Sequence, residues 1–142
     1  MIANYSTQVV AERSLAEIMH LLAVNGASHV LVENSPSGQP SSLAFRVKGM
    51  GFRLPIYADA VVETLKRDGA EKRFLKLDHA TDVAWRIVRD WLRAQLALID
   101  SGMVALDEIM LPYAITSSGL TALERYRSGT LMLDAPMGKG ER

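Results

Sequence analysis

The chain has 142 residues, 49% hydrophobic and 23% charged, with 16 basic against 16 acidic side chains and a formal net charge of zero. Such a composition suffices for a core and is too weakly charged for a disordered chain, and it provides no general attraction to nucleic acid or to an anionic membrane; only a local basic patch could serve that role. Cysteine is absent, which excludes disulfides, thiolate metal sites and a cysteine nucleophile and fits a reducing cytosol.

Residues 1–8 have neither a basic n-region nor an apolar h-region, so no signal peptide and no membrane span are expected, and the expected location is cytoplasmic. Residues 5–10 read as a short strand. A helix then starts at Ser14, where Ser14 and Glu17 have the spacing of a capping box; Leu15, Ile18, Met19 and Leu22 form its apolar stripe, and Asn25-Gly26 its left-handed stop. Residues 29–33 are β-branched, residues 35–42 are a Ser/Pro/Gly turn cluster, and residues 43–47 return antiparallel. Lys48-Gly49 reverses the chain again into residues 50–54. Period-two alternation puts Leu43, Phe45, Val47, Phe52 and Leu54 on one core face and turns Arg46 and Arg53 the other way. A second helix follows over residues 58–67, with Val61, Val62 and Leu65 inward.

Residues 66–76 are polar and aperiodic and read as a mobile linker. Residues 80–101 then form a long helix. At 100° per residue, Asp82, Arg86, Arg89, Asp90, Arg93 and Asp100 fall in a wedge of roughly 100°, and nearly all of the remaining arc is apolar. Such a helix is either the central rod of the domain or meets a second copy of the chain. Gly102 breaks it, residues 106–111 make a short helix ending at Pro112, and Thr121 with Glu124 caps a last helix that stops near Ser128-Gly129. The expected class is therefore α+β: an N-terminal antiparallel meander with two helices (residues 1–68), a linker (69–78), a helical half built on the long helix (79–129) and a tail (130–142). The tail is apolar over residues 131–137, and its last five residues are expected to be disordered.

Catalytic motifs are hard to find. His20, His29 and His79 lie on different elements without ligand spacing, so no metal is expected. There is no Gly-x-Ser-x-Gly turn and no phosphate-loop glycine pattern, and Asp107-Glu108 diverge by 100° on a helix, so a solvated face is their simplest role. Neither catalytic residues nor a cofactor are expected. The better lead is basic. Arginine's planar fork suits phosphate, and Arg89 and Arg93 have no acidic partner four residues away, whereas Arg86 has Asp82 and Asp90. With Arg46 and Arg53 from the outer sheet face they form the candidate ligand set, weighed against an ordinary solvated arginine face. Trp85, Trp91 and Leu92 lie on the apolar arc with Gln95, whose amide would need a partner there; these four are the candidate interface of a homo-oligomer.

The order of segments 11–18, 25–30, 45–47, 52–55, 84–99 (AlaTrpArgIleValArgAspTrpLeuArgAlaGlnLeuAlaLeuIle) and 102–113 (GlyMetValAlaLeuAspGluIleMetLeuProTyr) resembles a group of small uncharacterised proteins encoded by phages and prophages, over residues 11–126. The resemblance brings no activity and no site residues. It implies phage tasks such as counter-defence, including sequestration of nucleotide immune signals, or service to DNA replication. The expected function is thus non-enzymatic binding of a small nucleotide or a nucleic-acid backbone; the alternative is a protein-interaction module inhibiting a host or defence enzyme, with residues 131–137 as a docking segment.

Overall fold

The structure is a computed structural model that describes residues 2, 5, 6 and 10–134. Helix α1 (Ala11–Val24) leads into a three-stranded antiparallel sheet in the order β1 (Ala27–Asn34), β2 (Pro40–Val47), β3 (Met50–Pro55). Helix α2 (Ala58–Arg67), a 3₁₀ turn (Lys72–Phe74) and the long helix α3 (Leu77–Asp100) follow. The chain closes with α4 (Leu106–Met110), a 3₁₀ turn through Pro112 and α5 (Ala122–Arg127). The architecture is α+β, with the meander ahead of a helical C-terminal half.

The sheet follows the alternation in the sequence. Leu43 pairs with Leu54 and Phe45 with Phe52, whose rings lie 5.4 Å apart, and all five expected core residues of β2 and β3 are buried. Lys48 and Gly49 have φ of 52° and 79°, so both central residues of the hairpin turn are left-handed, which matches the twist of the strands they join. The strands run further than the β-branched cores suggest: β2 begins at Pro40, inside the serine-rich cluster, because cross-strand bonds such as Ser42 Oγ to Glu33 Oε1 (2.9 Å) extend the ladder.

The first half of α3 is the rod on which everything else rests. Ala80, Thr81, Val83, Ala84, Trp85 and Arg86 are all buried, with α1 and α2 packed along the helix. Trp85 is fully enclosed, and its indole N–H donates to the Pro40 carbonyl at the start of β2 (3.0 Å), so the largest core side chain also ties α3 to the sheet. The 69–78 segment is built into this body: Phe74 is buried against Tyr5 and His79, and Leu77 opens α3. One core cluster runs from Ile18 and Leu22 through the sheet to Leu92 and Met110, so the two expected halves share it.

Two expectations at the N-terminus need correcting. Tyr5 and Ser6 lie in a turn, and residues 7–9 of the expected strand fall outside the described residues. Helix α1 begins at Ala11, one turn before Ser14, and the Ser14–Glu17 box does not form: Ser14 sits inside the helix, fully buried, its hydroxyl without a partner. The reason is tertiary. Asp82 of α3 accepts the Ala11 N–H (2.8 Å), satisfying a first-turn donor from outside, and the Val10 carbonyl takes the N–H groups of Arg13 and Ser14. The expected stops hold, with Gly26 at φ 92° and Gly102 at φ 80°. The tail is described only to Asp134, with Met132 and Leu133 exposed; the expected disorder of the last five residues lies outside the described residues.

Burial pushes the Asp82 carboxyl above its ordinary value of 3.8, against the opposing pull of the Ala11 N–H. A raised value means that its contribution to stability is largest below the unfolded value and falls as pH rises through the folded one. Asp82→Asn keeps an acceptor and should lose that pH dependence, whereas Asp82→Ala orphans the Ala11 N–H and should cost about 1–3 kcal/mol at neutral pH. Urea denaturation of the three proteins between pH 3 and 7 measures both effects.

Candidate functional site

The four candidate arginines do not converge. Arg89 and Arg93 lie together on α3, where Glu17 of α1 pairs with both; Arg89 is largely covered and Arg93 is exposed. Glu17 Oε2 sits 3.4 Å from Arg89 Nη1 and 3.2 Å from Arg93 Nη2, its other oxygen lies 3.8 Å from Arg13 Nε, and Asp90 takes two further bonds from Arg89 (2.9 and 3.1 Å). Arg86 reaches Asp90 at 2.9 Å and is buried. The charged wedge is therefore an ion-pair seam between two helices, with Arg86 and Arg89 largely covered and Asp90 and Arg93 exposed. Arginines whose partners four residues away were missing found one 72 and 76 residues away, which no local spacing rule reveals.

Arg46 and Arg53 share the outer face of the sheet, which α5 meets at Arg53 through Glu124. Arg46 stands opposite His29 on β1 and Gly51 on β3, and Arg53 opposite Ala44, which makes the two arginines diagonal neighbours about 7–8 Å apart. Their electrostatic states differ. Arg53 donates to Glu124 Oε1 and to the Gly119 carbonyl, both at 2.9 Å. Among the described residues Arg46 donates only to the Gly49 carbonyl (2.9 Å) and has no carboxylate partner. It lies in a cleft of about 360 Å³ between the β2–β3 turn and residues 114–117. The wall of that cleft is held on β3 by the Ile115 N–H to Gly51 carbonyl bond (2.8 Å) and by an isolated bridge between Phe52 and Ala114.

The expected interface residues also divide. Trp85 and Leu92 are buried in the chain's own core and cannot meet a partner; the helix turns them toward the sheet and α1. Trp91 and Gln95 stay half-exposed, and the Gln95 amide makes no hydrogen bond with described residues. Around them Ile87, Trp91, Ala94 and Leu98 form an accessible stripe along α3 spaced by four, three and four residues, the spacing of a helix-pairing seam. An apolar groove of about 250 Å³ runs beside it, lined by Leu54, Pro55, Ile87, Val88, Trp91 and Tyr113, with the Tyr113 ring edge-on to Trp91 at 6.1 Å. It continues past Pro55 and Tyr113 to the exposed Tyr57 and to Arg127. Tyr113, delivered by the 3₁₀ turn around Pro112, is the surface residue that the sequence did not single out.

Asp107 and Glu108 do diverge: Asp107 is exposed, while Glu108 accepts the Ala105 N–H (3.0 Å) and so caps α4. No group of three or more metal-ligating side chains converges among the described residues, and none of their helices is long and apolar enough to cross a membrane. Compared with protein-family models, curated proteins and solved structures, the chain finds no match.

The box at α5 forms as its spacing predicts, with Thr121 and Glu124 exchanging bonds of 2.8 and 3.1 Å. The Thr121 N–H, then the Arg53 guanidinium, hold the Glu124 carboxyl below its ordinary value of 4.5. Its contribution to stability is therefore present above 4.5 and is lost as pH falls through the lower folded value. Replacing Glu124 by Gln should remove this acid-side loss in a pH series of thermal melts, and Thr121→Ala should cost about 1 kcal/mol at all pH values.

Proposed function

We propose that the protein is a non-enzymatic protein-interaction module that works through the accessible face of α3 and assembles as a homo-oligomer. The observation that carries this reading is the groove at Ile87, Trp91 and Tyr113: aromatic and aliphatic side chains left half-exposed beside the buried Trp85, Leu92 and Leu96 of α3. Aromatic residues rimmed by arginine, here Arg53 and Arg127, are the composition that interface centres favour. The unpaired Gln95 amide beside the seam gains a partner if two α3 helices meet across a two-fold axis. The charge pattern supports the same choice, because the helical arginines that a phosphate ligand would require are already engaged by Glu17 and Asp90. With the resemblance to phage-encoded proteins, the target class is a host or defence enzyme. Binding of a phosphate-bearing ligand rests on Arg46 alone.

Light scattering behind a sizing column should give at least twice the 15.6 kDa chain mass at micromolar concentration. Ile87→Glu should return the protein to a monomer with little change in melting temperature, since Ile87 is 37% exposed. Leu92→Glu, at 1% exposure, should unfold it by forcing an unpaired charge into the core. A wild-type monomer, or an Ile87→Glu protein that assembles as before, would remove the support for this face.

A further inference from the structure

We propose that the cleft between the β2–β3 turn and the 114–121 loop is a binding site for one phosphate monoester, such as the terminal phosphate of a mononucleotide, with Arg46 as its principal cation. The site is separate from the α3 groove, and its failure would leave the interaction reading untouched.

Charge accounting selects this cleft. The larger opening beside Arg93, about 460 Å³, contains Glu17, which already binds its arginines. No carboxylate lines the Arg46 cleft. Arg46 spends one Nη1 bond on the Gly49 carbonyl, which fixes the plane of the guanidinium and leaves the Nε and Nη2 hydrogens for a ligand. Lys48, two residues on in the left-handed turn, is exposed and forms no ion pair among the described residues, and it adjoins Gly49 of the cleft lining, so a second cation is near in sequence for the second charge of a monoester.

The opposite wall supplies donors. Residues 116–120 close a tight turn through Thr116 N–H to Leu120 carbonyl (2.8 Å) and Gly119 N–H to Thr116 carbonyl (2.9 Å). The Thr116 hydroxyl is committed to the Leu120 carbonyl, but Ser117, which lines the cleft, makes no hydrogen bond through its hydroxyl or N–H among the described residues. Gly51 forms the floor. A Cβ there would be in ordinary contact with Arg46 Nη2 at 3.6 Å and Ile115 Cδ1 at 3.5 Å, so a branched side chain such as leucine's would compete with the guanidinium for the space between them.

A single phosphate fits better than a nucleic-acid track. The neighbouring Arg53 is neutralised by Glu124, the chain has no net charge, and no row of free cations leads out of the cleft among the described residues.

Titration calorimetry at low salt with inorganic phosphate, adenosine monophosphate, adenosine and a short single-stranded oligonucleotide tests the assignment. Phosphate and the monophosphate should bind with millimolar or tighter affinity, and adenosine should not. Arg46→Ala should weaken monophosphate binding tenfold or more with an unchanged circular dichroism spectrum, and Gly51→Leu should do the same by displacing an intact Arg46. Arg93→Ala should change nothing. The proposal is overturned if the monophosphate binds no better than adenosine, if either cleft variant binds like wild type, or if only the oligonucleotide binds.

Discussion

Enclosure of Trp85 is the constraint on which the remaining structure depends. A side chain of that size with no exposure needs cover on every side, and its indole N–H needs an acceptor, so α3 must lie across the sheet with Pro40 at one end of β2 beneath it. Once α3 is so placed, α1 and α2 fill its flanks, and the helical geometry decides the rest. Leu92 and Leu96 continue the buried side, while Ile87, Trp91, Ala94 and Leu98 are carried round to the accessible one. The rod and the apolar surface are two sides of one helix, and both alternatives raised by its wide apolar arc apply, to different residues.

The same placement moves the charges. A wedge of arginines and aspartates on an isolated helix looks like a solvated face; here α1 lies against it at Arg89 and Arg86 is buried, while Asp90, Arg93 and Asp100 stay exposed. Glu17 stands between Arg89 and Arg93, and Asp82 satisfies the first N–H of α1. Removing one partner of a partly buried pair leaves the other uncompensated, so this seam fixes how the two helices sit against each other more than it adds net stability. It also leaves Arg46, on the outer face of the sheet, as the member of the candidate set without a carboxylate partner among the described residues.

What the sequence made legible follows the range of the interactions involved. The inward alternation of β2 and β3, the Lys48-Gly49 reversal, the Gly26 and Gly102 stops and the Thr121–Glu124 box are each set by residues within a few positions, and each stands where local rules put it. The start of α1 and the use of Glu17 were not legible, because each depends on α1 meeting α3 some 70 residues away. Of the site, the outward direction of Arg46 and Arg53 could be read from period two. Their different electrostatic states could not, since Glu124 reaches Arg53 through the fold. Tyr113 and Ser117 carried no signal at all: one comes to the surface on a 3₁₀ turn after Pro112, the other in a loop that only the sheet edge positions.

Acrylamide quenching of tryptophan emission in Trp91→Phe protein, whose single remaining indole is Trp85, tests the central claim most directly. If one chain encloses the first half of α3, the emission is blue-shifted and nearly unquenched at every protein concentration from micromolar downward, until the fold itself is lost. Quenching like that of an exposed indole, or protection that appears only as concentration rises, would show that the rod is covered by another copy rather than by its own sheet and helices, and would contradict the account.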